Sequence, residues 1–201
     1  MENRRVIIGD KEYQIPEKLL SLGVIPILGI ASLLWLLTGV YQVGPDEVGV
    51  IQRFGKVSRV AQSGLRYHLP FPIETVQTPK VTEVKRIEIG FRTVGKNQFR
   101  TVEQESIMLT GDENIVDAEM IVQYKLKDPE AFLFNFVRPV LTVREAAEAS
   151  LRTVVGRHGI DQALTAGKLM IQEETKTLLQ SILDKYNTGI LVVCLLYTSP
   201  S

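Results

Sequence analysis

The chain has 201 residues, and its 23 basic side chains balance its 23 acidic ones, so that its formal net charge at pH 7 is zero. This balance excludes the strongly basic surface typical of nucleic-acid binding proteins, and the single cysteine, Cys194, excludes an intrachain disulfide and a cysteine zinc cluster. A hydrophobic fraction of 45% without low-complexity runs predicts a folded chain.

A long uncharged stretch near the N-terminus begins at Leu19 and ends at Tyr41. As a helix it would extend about 35 Å, somewhat more than the roughly 30 Å hydrocarbon core of a bilayer. We therefore predict a transmembrane helix over residues 19–41, with a kink at Pro26 and with Trp35 and Tyr41 near one headgroup layer. A buried core helix and a cleaved signal peptide are the alternatives, and the stretch is too long for either.

The charges on either side of this stretch predict its orientation. Within about 15 residues of the span, the basic residues on the N-terminal side outnumber those on the C-terminal side. They are Arg4, Arg5, Lys11 and Lys18 before the span, and Arg53 and Lys56 after it. The positive-inside rule therefore predicts a short cytoplasmic tail over residues 1–18, with the rest of the chain across the membrane.

Residues 42–92 are predicted to form a small β-rich subdomain of short strands separated by turns. The corner Leu69-Pro70-Phe71-Pro72 interrupts the strands, because proline cannot donate a ladder hydrogen bond. Leu69 and Phe71 are a candidate membrane-interface loop, since the two prolines present them with little loss of entropy. A corner that covers the edge of the sheet is the alternative.

Residues 93–190 are predicted to form an α+β subdomain that opens with a polar loop at 93–104. Every second residue from Val116 to Leu126 is apolar, which predicts a strand with one buried face. Asp128 is a predicted N-cap. Helices are predicted over 129–136, 139–155 and 168–186, the last two with inner faces that include Val140 and Tyr186, and a buried strand over 190–197.

No established catalytic motif occurs in the sequence. His68 is predicted to be a structural histidine in a strand, and His158 to be a cation near a helix C-terminus. Turn chemistry accounts for Ser63, which precedes a glycine. We therefore predict no catalytic residue and no cofactor site.

The acidic segment Gly111-Asp112-Glu113-Asn114 has two interpretations. A metal-binding loop would need further oxygen ligands, but Ile115 and Val116 follow. An exposed hairpin turn is therefore the better interpretation, and no metal site is predicted. Asp161 is predicted to cap a short helix further along the chain.

Four stretches resemble the SPFH (Band 7) superfamily of stomatins, prohibitins, flotillins and the bacterial HflK and HflC proteins. They are VGPDEVGVIQRFGKV (43–57), SGLRYHLPFPIETV (63–76), MLTGDENIVDAEMIVQYKLKDPEAFLFNF (108–136) and REAAEASLRTVVGRHGIDQALT (144–165). The third is more similar to HflK than to HflC, above all in TGDENIVD. The resemblance implies an SPFH1-like β subdomain over residues 42–92 and an SPFH2-like α+β subdomain over residues 93–190.

The resemblance also implies a function. It implies a non-catalytic, membrane-anchored scaffold that forms a hetero-oligomer with an HflC-like subunit and modulates an FtsH-like membrane protease. It places the C-terminal part on the outer face of a bacterial inner membrane. A stomatin-like organiser of membrane microdomains is the alternative, and a membrane-bound hydrolase that uses Ser63 or Cys194 is a third hypothesis.

The two ends of the chain depart from this pattern. HflK proteins usually carry a long glycine-rich cytoplasmic tail, whereas the predicted tail here has 18 residues. The family continues after the second subdomain into a long charged helix, but residues 191–201, LVVCLLYTSPS, carry no charge. We therefore expect residues 191–201 to be a truncated or non-native end.

Overall fold

The computed structural model describes residues 5–8, 11–14, 17–96, 98–165 and 167–199, with side chains described from residue 26 onward. The predicted α+β class is confirmed. In chain order the elements are β1 (Arg5–Ile8), β2 (Lys11–Gln14), α1 (Glu17–Leu37), β3 (Val40–Val43), β4 (Gly49–Arg53), β5 (Lys56–Ala61), β6 (Gly64–Tyr67), β7 (Glu74–Gln77), β8 (Lys85–Ile89), β9 (Phe91–Gly95), β10 (Gln98–Thr101), α2 (Glu103–Ser106), β11 (Ile107–Leu109), β12 (Ile115–Asp117), β13 (Glu119–Leu126), α3 (Pro129–Phe134), α4 (Pro139–Val155), α5 (Ile160–Leu164), α6 (Lys168–Lys185) and β14 (Ile190–Thr198).

Helix α1 contains Leu19 and Pro26, as predicted, but its predicted C-terminal end at Tyr41 is wrong. The helix ends at Leu37, and Tyr41 lies in β3, which pairs antiparallel with β6. After the helix the chain passes close to another backbone, since a Cβ on Gly39 would lie 2.1 Å from the His68 carbonyl oxygen, so that only glycine fits there. Within the described residues, no helix has the length and hydropathy required to span a membrane.

Two small antiparallel sheets follow α1, one of β3 and β6 and one in the order β5-β4-β7. Their covered apolar side chains include Val43, Val50 and Ile51, each at most 2% exposed. We call residues 40–77 the first β region. Its strands are short, and it buries few apolar side chains.

The main core lies between a three-stranded antiparallel sheet, ordered β14-β13-β8, and the helices α4 and α6. The predicted alternation is confirmed, with buried side chains at every second residue of β13 from Met120 to Leu126. The predicted single strand is divided, however, because Val116 lies in β12, which pairs with β11 in another sheet. The core residues of the helices are Val143, Ala147, Leu151 and Val154 of α4, with Ile171, Leu179 and Leu183 of α6. Because each fully buried aliphatic side chain contributes about 1.5–3 kcal/mol, this core dominates the stability of residues 85–199, which we call the core region.

The predicted polar loop at 93–104 is wrong. Strands β9 and β10 form an antiparallel hairpin there, and α2 follows it. The Phe91 and Phe99 rings pack edge to face across the hairpin, with centroids 5.8 Å apart. This pairing explains why a polar segment is ordered.

Strand β8 belongs to a different sheet from its sequence neighbours. It pairs with β13, Ile89 opposite Met120, so that Ile87 and Ile89 are buried in the main core. Strand β8 lies within residues 42–92, the range that was predicted to form the first subdomain. Alternation in β8 shows that one face is buried, but it does not show which sheet provides the partner strand.

Strand β14 confirms the buried strand predicted over 190–197 and extends it to Thr198. Leu195 and Tyr197 are buried, and the Tyr197 hydroxyl donates a hydrogen bond to the Ala163 carbonyl at 3.3 Å. Most of the segment expected to be a truncated or non-native end therefore forms an edge strand of the main sheet. A strand that is buried on one face needs no charge on that face.

The boundaries of α3, α4 and α6 lie within two residues of the predicted ones, but Asp161, the predicted cap of α5, lies inside that helix, so this prediction is wrong. The Asp128 carboxylate accepts hydrogen bonds from the Glu130 and Ala131 N–H groups at 3.0 and 3.2 Å, as an N-cap should. Helix α4 has the predicted bounds, but the predicted inner faces are wrong at their ends. Val140 lies in the first turn of α4 and Tyr186 directly follows α6, and both are exposed.

Candidate functional site

The described part of α1 is apolar and uncovered. From Pro26 to Leu37 every side chain is exposed, on all sides of the helix. The large apolar ones are Ile27, Leu28, Ile30, Leu33, Leu34, Trp35, Leu36 and Leu37. A helix that is apolar on every face is stable only where something other than water surrounds it.

The C-terminal end of α1 is attached to the first β region by three hydrogen bonds. The Trp35 indole N–H donates to the Phe71 carbonyl at 3.1 Å, and the Tyr67 hydroxyl donates to the Leu36 carbonyl at 3.1 Å. The His68 backbone N–H donates to the Gly39 carbonyl at 2.9 Å. Trp35, predicted near a headgroup layer, and Phe71, predicted in an interface loop, therefore lie next to each other.

The structure exposes the two residues of the predicted interface loop to different extents. Phe71 is 75% exposed, whereas Leu69 is only half-buried and Pro70 is buried. The Phe71–Pro72 peptide bond is cis. The loop thus presents one large apolar side chain beside the end of α1.

A buried carboxylate fixes the base of this loop. The Glu74 side chain has no exposed surface, and its Oε2 accepts a hydrogen bond from the Leu69 N–H at 2.8 Å. Arg53 donates to Oε1 from Nε at 3.1 Å and from Nη2 at 2.8 Å, and Arg59 Nη2 lies 3.5 Å from Oε2. Burial raises the pKa of Glu74, but the Leu69 N–H and the two guanidinium groups outweigh it and hold the pKa below its ordinary value.

The acidic turn at 110–114 connects two of the stretches that carry the family resemblance, residues 108–136 and 144–165, through hydrogen bonds. The Gly111 N–H donates to the His158 carbonyl at 2.8 Å, and both Asp112 carboxylate oxygens lie 3.1 Å from the Ile160 N–H. Asp112 therefore caps α5 from a distant part of the chain, and Asp161 lies inside that helix. The Thr110 hydroxyl and the Ile160 N–H lower the pKa of Asp112.

Both histidines have structural partners. His68 Nδ1 lies 2.7 Å from the Leu69 carbonyl oxygen, and its ring packs edge to face on Tyr41 with centroids 5.2 Å apart. His158 Nε2 lies 3.1 Å from a Glu174 carboxylate oxygen, and this contact raises the pKa of His158 above its ordinary value. His158 thus joins the α4–α5 connection to α6.

The two residues of the hydrolase hypothesis, Ser63 and Cys194, lie in unrelated parts of the fold. Ser63 is exposed in the turn between β5 and β6, and Cys194 is partly buried in β14, opposite Gln123. Within the described ranges, no three His, Cys, Asp or Glu side chains are grouped so that they could hold a metal ion.

Two features that shape this site were not predicted from the sequence. They are the burial of Glu74 and the role of Asp112 as a helix cap. A signal for Glu74 was present, because it occupies the same face of β7 as Val76, which is partly buried, whereas Thr75 and Gln77 are exposed. A charged residue at an inward position of a strand requires a buried partner. No local pattern could reveal the capping role, because the helix N-terminus lies 48 residues away in sequence.

Comparison with known proteins identifies the family. The model of the SPFH domain / Band 7 family matches residues 41–196, which include nearly all of the first β region and of the core region. The chain is 35% identical to the protein HflK of Treponema pallidum over 177 residues, covering 85% of this chain and 52% of that protein.

Other HflK proteins are similar to the same extent. The chain is 31% identical to HflK of Vibrio cholerae, covering 86% of this chain and 40% of that protein. It is 32% identical to the Escherichia coli protein named Modulator of FtsH protease HflK, covering 79% of this chain and 34% of that protein. The chain spans about half or less of the length of these curated relatives. It belongs to the SPFH domain / Band 7 family.

Proposed function

We propose that the chain is a non-catalytic, membrane-anchored subunit that acts with an HflC-like subunit to modulate an FtsH-like membrane protease. The observation that carries this proposal is the similarity of most of the chain to an Escherichia coli protein whose name states that it modulates FtsH. A modulator acts through its binding surfaces, and the engagement of both histidines in structural contacts agrees with such a role.

The proposed anchor is α1, which crosses a bacterial inner membrane with the N-terminus in the cytoplasm and the C-terminal part outside. The uncovered apolar surface of residues 26–37 supports a lipid environment, because exposing it to water would be costly. Trp35 and Phe71 lie together where α1 ends, and aromatic side chains favour the headgroup layer. The flanking basic residues support the orientation.

Co-purification from native membranes tests the proposed partners. The tagged full chain, extracted with a mild detergent, is expected to recover an FtsH-like protease together with an HflC-like subunit, both identified by mass spectrometry. Recovery of the chain alone would contradict the proposal.

A pair of variants separates anchoring from binding. Leu151→Asp disrupts the main core, because Leu151 is fully buried, whereas Leu169→Asp changes an exposed position on α6. We expect both variants to remain in the membrane fraction through α1, but only Leu169→Asp to retain the partners. Loss of Leu151→Asp from membranes would show that the folded domain, and not α1, provides the anchor.

Chemical labelling tests the orientation. A Lys96→Cys substitution in a Cys194→Ser background places the only thiol on an exposed turn. We expect a membrane-impermeant maleimide to label it in spheroplasts without detergent. Labelling only after the membrane is opened would place the domain on the cytoplasmic side instead.

A further inference from the structure

A groove lies between the two small sheets of the first β region and has a volume of about 730 Å³. Val40, Ile51, Val60 and Leu65 give it an apolar lining, and Arg59 and Arg66 add two guanidinium groups. None of the described residues that line it is acidic. An apolar groove with basic side chains suits an amphiphile that has an anionic headgroup.

The groove carries an excess of positive charge. Arg59 donates to the Tyr67 carbonyl at 2.9 Å and shares the buried Glu74 carboxylate with Arg53. Arg66 donates from Nε to the Gln62 carbonyl at 3.3 Å and forms no ion pair with any described residue. The Glu74 carboxylate thus pairs with two arginines, Arg53 and Arg59, and the guanidinium of Arg66 is available to an anionic ligand.

The position of the groove selects the kind of amphiphile. Val40, which lines it, begins the strand that follows α1, and the Tyr67 hydroxyl binds the α1 carbonyl of Leu36. Exposed apolar side chains surround this end of the molecule, among them Leu65, at 74% exposed, and Phe71. If α1 is the membrane anchor, the groove lies beside the headgroup layer.

We propose that this groove binds the headgroup of an anionic phospholipid, with the phosphate at Arg66 and Arg59 and the first part of an acyl chain against Val60 and Leu65. The site rests on the proposed function, which places α1 in the bilayer. It gives the domain a fixed depth and a preference for one class of lipid. An acidic peptide would satisfy the arginines but would leave the surrounding apolar side chains exposed.

Lipid retention by the purified full chain tests this site. The protein, in micelles of an uncharged detergent, is mixed with phosphatidylglycerol or phosphatidylcholine of equal chain length, and the bound lipid is counted by native mass spectrometry. We expect phosphatidylglycerol to be retained about fivefold better, which is the factor that one basic residue contributes near an anionic surface. Phosphatidylcholine carries the same phosphate together with a cationic choline, so it measures retention of a lipid without net negative charge.

Matched arginine variants assign any preference to the groove. Arg66→Gln is expected to reduce the retention of phosphatidylglycerol to that of phosphatidylcholine. Arg100→Gln, at an exposed position of β10, is expected to change nothing. Arg66 is the better choice over Arg59 because Arg59 also binds Glu74 and the Tyr67 carbonyl. Leu65→Ser is expected to reduce the retention of both lipids.

Three outcomes would overturn the site: equal retention of the two lipids, an anionic preference that survives Arg66→Gln, or displacement of phosphatidylglycerol by an equal concentration of inorganic phosphate or of an acidic peptide. The proposed function has a separate readout. Capture of the protease without a lipid preference would contradict only the proposed lipid site. A lipid preference without capture would contradict only the proposed protease partner.

Discussion

The first β region and the core region are stabilised by different interactions. The core region buries a continuous apolar cluster between one sheet and two helices. The first β region buries few apolar side chains and depends on short ladders, on the buried Glu74 carboxylate and on hydrogen bonds to the end of α1. The core region is thus organised by apolar burial within the domain, whereas the first β region is organised by polar contacts beside an apolar helix.

The largest effect is expected from a cavity in the core region. Leu151→Ala removes a fully buried side chain from α4 and should lower the free energy of unfolding by about 2–5 kcal/mol. Leu169→Ala, at a position 74% exposed on α6, should change it by less than about 0.5 kcal/mol. Hydrogen exchange measured on peptides from β13 and from β4 checks the comparison. Equal acceleration in both peptides would show that the two regions unfold as one unit.

A smaller effect is expected from the buried carboxylate of the first β region. Glu74→Gln leaves Arg53 and Arg59 without their shared acid and should lower the free energy of unfolding by about 1–3 kcal/mol. The fluorescence of Trp35, the only tryptophan, reports this region because its indole binds the Phe71 carbonyl. Glu83→Gln, at an exposed position, is the control. An unchanged Trp35 transition in Glu74→Gln would contradict the role given to Glu74.

The same carboxylate gives the first β region a dependence on acid. Because the pKa of Glu74 in the folded chain lies below its ordinary value of 4.5, its contribution is complete above pH 4.5 and is lost as the pH falls through the folded pKa. The Trp35 transition of the native chain should therefore weaken on acidification. That of Glu74→Gln should weaken less, and parallel curves for the two proteins would refute the assignment.

His158 should give the core region the opposite dependence. Because its contact with Glu174 raises the pKa of His158 above 6.5, the stabilisation is complete below pH 6.5 and is lost as the pH rises through the folded pKa. An NMR titration of the His158 ring, assigned with a His158→Gln variant, measures this pKa directly. Glu174→Gln is expected to lower it, and an unchanged titration would exclude Glu174 as the cause.

The smallest effect on stability is expected at Phe71, because its side chain is exposed. Phe71→Ala should leave the free energy of unfolding unchanged within about 0.5 kcal/mol. In bilayers it should instead alter the quenching of Trp35 by lipids that carry a spin label near the headgroup. Leu169→Ala is the matched control, and equal quenching in both variants would count against the interface loop.

Much of the core region could be predicted from the sequence because its signals are local. The alternation from Val116 to Leu126, the cap at Asp128 and the spacing along α4 each describe how one element meets its own surface. The loop predicted for the polar segment 93–104 was wrong, because the order of this segment comes from the pairing of β9 with β10. The predicted end of α1 at Tyr41 is wrong because Tyr41 pairs instead with Arg66 in the neighbouring strand, a contact between residues distant in sequence.

The sequence by itself determined the class of fold, the apolar character of α1 and the family resemblance, because composition and periodicity are properties of neighbouring residues. Only the tertiary structure decided that β8 pairs with β13, that Asp112 caps α5, that Glu74 is buried between arginines and that Trp35 lies beside Phe71. Each of these contacts joins residues distant in sequence, and such a contact exists only when the folded backbone brings the two groups within hydrogen-bonding or pairing distance.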